Sequence, residues 1–576
     1  MKKVAKKDVT DFKDIKGVIY NSAKKFANNI AFRIKEKVGK ETSYKDVTYS
    51  QMLKDVNNFG TGLYNKGLKG KRVAIIGKNR YEWALTYVTN LLGGIVAVPL
   101  DKELQYNELE NSLIRSKAEC IVFDPKLMDS ILEIKKNGKT ELKHFICMDK
   151  NDQGIETVEE VLNTGKVILE KGNTEYVDAD PNENEMGILL FTSGTTSQSK
   201  AVMLTSRNVA SNIYAMLCVE DIRNTDTNIA FLPFHHIFGS TCMLVMLACG
   251  VKTVFPDGLK YIKQNLKEYK VTIFVGVPAL VEAMYKALTK EVEKQGKTKL
   301  INTAMKVSDV LLKCKIDVRR KLFKQVIDGL GGELRMIIEG GAAADPVISK
   351  AFNSLGIMVL QGYGLTETAP VIVAENPNER RLGSVGKPML NDTVEIVNPD
   401  ANGVGDIRVK GPNVMHGYYE MPEQTEEVLR DGYFYTGDLG YFDKDGYLFI
   451  TGRSKNMIVL KNGKKVFPEE LELLVNRLNL VEESMVFGLP DDEDKNDIKL
   501  SVKVVYSEET VKEKLGDVSE QEIYDNIWEQ IKELNKTFPN YKHIKNLILS
   551  KEELIKNSSK KVKRFEEMKL ILGENK

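Results

Sequence analysis

No C-x-x-C pair occurs among the six cysteines (120, 147, 218, 242, 249 and 314), which lie scattered along 576 residues. That scatter argues against a cysteine zinc cluster or a disulfide framework and points to a reducing compartment. A dominant charge is missing as well. Lys plus Arg number 83 and Asp plus Glu 81, a net charge of +2, so no global field argues for nucleic acid as a partner. Long hydrophobic runs are absent: Trp83 to Leu100 and Thr241 to Val251, the most apolar stretches, are too short or too interrupted by Asn, Gly and Pro to span a bilayer. The amino terminus, Met1-Lys2-Lys3-Val4-Ala5-Lys6-Lys7-Asp8, has no apolar core behind its lysines, so no signal peptide is expected. Internal repeats and low-complexity tracts are also lacking. The 42% apolar and 28% charged residues that remain are those of a soluble globular protein. A cytoplasmic protein is expected, and its length exceeds one core, so at least two domains are expected.

What is present is alternation. Short β-branched runs such as Val73-Ala74-Ile75-Ile76, Cys120-Ile121-Val122-Phe123 and Val271-Thr272-Ile273-Phe274-Val275 are separated by helical patterns. One such helix is Thr205 to Leu217, where Thr205 or Ser206 can cap and Val209, Ile213 and Met216 share a face. This pattern predicts α/β architecture with largely parallel sheets, whose ligands bind in loops at the carboxyl ends of strands. Four polar, glycine-bearing segments follow apolar runs: Thr192 to Lys200, Pro233 to Gly239, Gly340 to Ala344 and Gln361 to Thr368. From about Gly403 the texture changes to short strands and tight turns, and after Arg453 the chain becomes highly charged, with a final helical stretch near Glu520 to Leu534.

The segment Phe191-Thr192-Ser193-Gly194-Thr195-Thr196-Ser197-Gln198-Ser199-Lys200 is the most informative. It sets six hydroxyls, a glycine and a lysine behind the run Met186 to Phe191. Hydroxyl and backbone N–H donors with one cation suit a polyphosphate. The common P-loop spacing is not met, since Ser199 and Ala201 stand where Gly and Ser or Thr would be required.

Together these segments resemble the adenylate-forming superfamily of acyl-CoA synthetases, adenylation domains and luciferases, from Val47-Thr48-Tyr49 to the stretch Lys561 to Arg564. The resemblance implies ATP, Mg²⁺ and coenzyme A as cofactors and assigns roles residue by residue. Thr192, Ser193, Gly194, Thr195, Thr196 and Lys200 would hold the β- and γ-phosphates, although Ser197, Ser199 and Ala201 replace the usual Gly, Pro and Gly. Gly341 and Ala342 are similar to the adenine-side loop. In Gln361-Gly362-Tyr363-Gly364-Leu365-Thr366-Glu367-Thr368, Tyr363 would stack on adenine, Thr366 bond the α-phosphate and Glu367 hold the metal. Asp438, in Tyr435-Thr436-Gly437-Asp438, would accept from both ribose hydroxyls, with Arg453 also reaching the ribose. Lys455 stands at the hinge position and Gly463 would line the thiol channel. Lys561, paired with Arg564, takes the place of the catalytic lysine, and His236 matches a ring at the acyl-pocket entrance.

The implied fold is a large amino-terminal adenylation domain (1–452), with mixed or parallel sheets flanked by helices plus a β-rich subdomain. A small mobile α+β lid (453–576) follows. The implied reaction is activation of a fatty acid to acyl-AMP with release of pyrophosphate, then transfer to CoA. The basic helical insertion Lys286 to Gly331 resembles one found in long-chain fatty acyl-CoA synthetases, and its helices can touch anionic lipid at the inner face of a membrane. Ile237, Phe238, Met243, Leu244 and Met246 suit an aliphatic chain or an ordinary buried helix. A carrier protein in place of CoA, or a catalytically silent nucleotide-binding regulator, remain alternatives, and both a monomer and a homodimer stay open.

Overall fold

The computed structural model describes residues 9–39, 41–192, 199–490, 498–557 and 561–573. They form two units, one of residues up to 394 with 409–434 and one of 395–408 with 435 onward.

The first unit is built on two sheets. Seven strands run in the order Gly417–Tyr418, Lys200–Thr205, Met186–Thr192, Val96–Leu100, Arg72–Ile76, Cys120–Phe123 and His144–Cys147. The last four pair in parallel. Ala74, Ile76, Val98, Ile121 and Phe123 enter one buried cluster, while Val73, Ile75 and Val122 are buried as well. Strands covered on both faces are therefore apolar at every position rather than alternating. The second sheet has nine strands, in the order Lys387–Pro388, Val371–Ala374, Met358–Gly364, Met336–Gly340, Ile273–Gly276, Thr227–Ile229, Lys252–Val254, Ile30–Val38 and Glu41–Thr48. Its centre is parallel and its edges antiparallel.

Helix starts follow local chemistry. Thr205 caps Ser206–Val219 by accepting from the Asn208 N–H, and Asn208 answers on the Thr205 N–H. Thr157 and Glu160 make the same reciprocal pair ahead of Val158–Glu170. The basic insertion folds as Pro278–Lys294, Thr298–Lys313, Arg319–Leu322 and Lys324–Asp328.

In the second unit residues 438–442 of the strand Tyr433–Phe442 pair antiparallel with Leu448–Arg453. A separate sheet orders Val481–Pro490, Ile498–Tyr506 and Asn546–Ser550. Beyond a register shift near Val481 its side chains alternate: Val486, Val502 and Val504 join Leu471, Ile527 and Ile531 on one face, whereas Met485, Phe487 and Val505 meet Leu554 on the other. Helices Pro468–Val475 and Glu520–Asn535 supply the first cover, and Arg564–Leu572 lies over the second. The mixed α/β class implied by the resemblance is the class observed.

Candidate active site

In the first unit the functional loops leave the ends of strands. Ser193, Gly194, Thr195, Thr196 and Ser197 lie outside the described residues, but both feet of their loop are visible. Thr192 and Lys200 are register partners, and the Thr192 hydroxyl donates to the Lys200 carbonyl at 3.2 Å. At the returning foot, Arg115 of helix Tyr106–Ser116 donates to the Ser199 carbonyl (2.8 Å) and hydroxyl (3.1 Å). Its guanidinium also lies 5.3 Å from the centroid of the Phe191 ring.

Lys200 begins a chain of contacts. Its ammonium lies 4.4 Å from the centroid of the Tyr418 ring, and the Tyr418 hydroxyl donates to Glu367 Oε1 at 2.9 Å. Burial, and then the Glu367 charge, push the Tyr418 hydroxyl far above its ordinary range, so it stays a donor. Tyr418 thereby joins the cation at the phosphate-loop foot to the carboxylate expected to hold the metal. Glu367 is only half-buried, and its carboxylate is a hard oxygen donor of the kind magnesium takes, so the residues present fit that ion.

Gly340 and Gly362 are register partners on adjacent parallel strands. A Cβ at 340 would meet the Gly362 carbonyl at 2.9 Å, so a side chain is excluded there. Gly341 and Ala342 follow, exposed, before Asp345 caps helix Pro346–Leu355. Tyr363 and Thr366 are half-buried on the strand Met358–Gly364 and the turn Thr366–Thr368. Gly364 is dictated by closeness, because a Cβ there would lie 1.8 Å from the Pro370 carbonyl. The Gln361 side chain is buried and donates to the Ser349 hydroxyl at 3.4 Å, beneath the loop. Ser349 in turn donates to Glu339 at 3.1 Å. Burial and neighbouring carboxylates push Glu339 up to about 7, and burial pushes Glu375, which accepts from the Gln361 N–H, also up to about 7.

His236 caps helix Ile237–Ala248 from an extended backbone, beside buried His235. Of the apolar residues expected near the acyl chain, Ile237, Met243, Leu244 and Met246 are buried, and Met246 packs with Val251, Ile273 and Leu360 against the sheet. Phe238 is half-buried and lies within reach of a Cβ at Gly340.

Sequence reasoning missed the asparagines that pin these loops. Asn79 donates to the carbonyls of Ala230 (2.8 Å) and Leu232 (2.7 Å) and accepts from the Phe234 N–H (2.9 Å). Asn212 bonds both main-chain groups of Val371, and Asn413 donates to the carbonyls of Thr368 and Val371. Asn208 reaches the carbonyls of Pro412 and Val414. Their only trace in the sequence is an amide within an apolar helix pattern or a glycine-bearing loop.

The second unit carries the remaining expected residues. Asp438 is buried opposite Arg453, whose Nε lies 3.0 Å from Asp438 Oδ1. Lys455 is exposed in the turn Ser454–Asn456, and Gly463 sits in the hairpin between Ile458–Val459 and Lys465–Val466. Lys561 is exposed, with its N–H on the Asn557 side chain and its carbonyl accepting from the Asn557 N–H (both 2.9 Å). Arg564 clasps both oxygens of Glu472 and donates to the Val486 carbonyl at 3.0 Å. That clasp anchors the segment carrying Lys561 to helix Pro468–Val475.

Comparison with known proteins decides the family. The AMP-binding enzyme family model matches residues 19–419, and the AMP-binding enzyme C-terminal domain matches residues 455–566. The chain belongs to the AMP-binding enzyme family. It is 30% identical over 479 residues to the long-chain-fatty-acid–CoA ligase 5 of Mus musculus, covering 77% of this chain and 69% of that protein. It is 27% identical over 555 residues to the chloroplastic long-chain-fatty-acid–[acyl-carrier-protein] ligase AEE15 of Arabidopsis thaliana, covering 83% and 75%. The crystal structure of the anthranilate CoA ligase AuaEII in complex with anthranoyl-AMP superposes with a TM-score of 0.77 at 18% identity, covering 98% of each chain. That last likeness speaks for the fold alone.

Proposed function

We propose that this AMP-binding enzyme is an ATP-dependent, AMP-forming acid–thiol ligase that activates a fatty acid, long-chain by preference, and transfers the acyl group to CoA. The observation that carries the reading is the array Lys200–Tyr418–Glu367, which holds a cation and a hard carboxylate beside the glycine-floored Gly340 and Gly362 strands. A cation and a hard carboxylate held together in that array suit a magnesium nucleotide. The long-chain preference is supported by the names of the mouse and Arabidopsis relatives.

A carboxylate is a poor acyl donor because oxide is a poor leaving group. In the first step its oxygen attacks the ATP α-phosphate, a new P–O bond forms, the α–β anhydride breaks, and pyrophosphate leaves. The obstacle is repulsion between anions, so the residues act by positioning and by opposite charge. Lys200 and the loop 192–200 take the departing pyrophosphate, Thr366 orients the α-phosphate, Tyr363 stacks on adenine, and Asp438 with Arg453 takes the ribose. Magnesium, when bound at Glu367, neutralises phosphate charge. Lys561 opposes charge building at the α-phosphate. In the second step the thiol sulfur attacks the acyl carbon, the thioester forms and AMP departs. Residues 453–576 act in this reading as a lid on the adenylation domain 1–452, turning about Lys455 to exchange Lys561 for the channel lined by Gly463. His236 shapes the acyl entrance.

Contact with anionic membrane belongs to the same proposal. On helix Thr298–Lys313, Leu300, Val307 and Val310 are 67%, 53% and 60% exposed along one side, next to Lys299, Lys306 and Lys313 at intervals of seven. An exposed apolar stripe beside a lysine row suits an interface of acyl chains and acidic headgroups. Among the described residues no helix is long and apolar enough to cross a membrane.

The test is AMP release across a panel of carboxylic acids, with CoA and holo carrier protein offered side by side. Acid-dependent pyrophosphate–ATP exchange and acyl-CoA formation, strongest with long chains, are expected. Absence of exchange with every acid would leave only a silent nucleotide binder. Failure to cosediment with anionic vesicles would remove the membrane contact.

A further inference from the structure

We propose that Asp101, His235 and His236 form a binding site for one divalent transition-metal ion of the zinc class, separate from the magnesium that accompanies ATP. Asp101 follows strand Val96–Leu100 of the seven-stranded sheet, and the two histidines follow strand Thr227–Ile229 of the nine-stranded sheet. The three side chains each bring one donor atom, and those atoms all lie within 4.8 Å of one another. His235 Nε2 stands 3.4 Å from Asp101 Oδ1, and the two imidazole rings are 4.4 Å apart at 47°.

Two features separate this cluster from an ordinary histidine–carboxylate pair. First, His235 is only 6% exposed, and its Nε2 has no hydrogen-bond partner despite the nearby carboxylate. A buried ring nitrogen left so is costly, and such atoms ordinarily have a partner. Second, the spacing suits a metal. Donors about 2.0–2.2 Å from a tetrahedral zinc ion sit roughly 3.3–3.6 Å apart, which brackets the His235–Asp101 separation, and the remaining donor lies within 4.8 Å of both. Two imidazoles and one carboxylate leave a fourth position open and favour zinc, cobalt or nickel over magnesium, which takes an all-oxygen octahedron. The site is also held in place. Asn79 fixes the main chain from Ala230 to Phe234, and the Ser240 N–H bonds the His236 carbonyl at 3.0 Å. Asp101 keeps 23% of its side chain exposed, which gives the ion a way in.

A metal here would immobilise the His236 ring and so slow turnover of the acid, making zinc an inhibitor. That consequence rests on the proposed function; binding of the ion does not. The test uses the full-length protein stripped with chelator and titrated with Zn²⁺ by calorimetry in excess Mg²⁺. One site per chain is expected, with affinity lowered at least about tenfold in His235→Asn and in Asp101→Asn. X-ray absorption of the wild-type zinc complex should show two imidazole ligands and oxygen, a readout that needs no variant to fold. Failure of the wild type to bind, equal binding by both variants, or a shell without imidazole would each overturn the proposal. If zinc binds as described but leaves acid-dependent pyrophosphate release unchanged, the metal site stands and the acyl role of His236 falls.

Discussion

The two units differ in the ties that dominate at their functional segments, the Arg115 grip on Ser199 being the charged exception in the first. In the first, loops are tied by neutral amides: half-buried Asn79 and buried Asn208, Asn212 and Asn413 each bond main-chain groups far away in sequence. In the second, charges do the same work. Arg564 clasps Glu472, Arg453 faces Asp438, Lys503 meets buried Glu567 at 2.8 Å and Lys556 meets Glu483 at 2.6 Å. An amide latch is indifferent to salt, and its hydrogen bonds have fixed directions. A charge pair tolerates more angular play but weakens with ionic strength where it reaches solvent. A unit built around a fixed cradle suits the first kind, and a unit proposed to change its contacts between half-reactions suits the second.

The sharpest break in that comparison is chemical. Lys561→Ala should lower acyl-AMP formation by roughly 10²–10³-fold while sparing thioester formation from supplied acyl-AMP; equal loss of both steps would remove Lys561 from its role. Arg564→Ala should follow, costing about 3–5 kcal/mol by stranding Glu472 without its partner, read as a lower denaturation midpoint of the second unit.

Glu339→Gln tests the carboxyls of the first unit. Glu339 is raised to about 7 when folded, so its contribution to stability is full below the ordinary carboxylate value of 4.5 and is lost as pH rises through 7. The wild type should therefore melt at a lower temperature at pH 8 than at pH 5. The variant should lose most of Glu339's share of that difference, on the order of 3 kcal/mol. An unchanged pH profile would mean that Glu339 is not the group responsible.

Asn212→Ala leaves the Val371 N–H and carbonyl without that partner inside the protein, and a loss of about 2 kcal/mol is expected. This loss should be the same at low and high salt, whereas the Arg564→Ala penalty should shrink as salt rises; matching salt responses would erase the distinction between the units. The smallest effect is expected from Arg115→Ala. Removing about 1 kcal/mol of anchoring should raise the KM for ATP roughly fivefold with kcat nearly unchanged.

Much of this was legible in the chain itself. Thr205 announced its helix by position, and the order of Thr192, Gly340, Gln361, Asp438 and Lys561 announced the family. The latches were not legible, because Asn212 and Val371 are 159 residues apart and nothing local distinguishes a latch from a solvated amide. Gln361 illustrates the same limit. It sits inside a glycine-rich motif, yet its side chain turns into the buried Ser349–Glu339 network, and only packing shows that. The tie between Lys200 and Glu367 was hidden for a related reason: both residues were singled out, but Tyr418, which joins them, carries no motif of its own.

Arg115 bears on how such chains drift. The family resemblance puts a proline where Ser199 stands, and a proline stiffens a loop from within its own backbone. Here the stiffness comes from outside, from a guanidinium on a helix 84 residues upstream that grips the serine carbonyl and hydroxyl. In this chain a restraint on the returning foot is written in tertiary structure and not in the motif. A pattern search that scores only the loop would count the missing proline against the match and would not see the guanidinium that holds the serine.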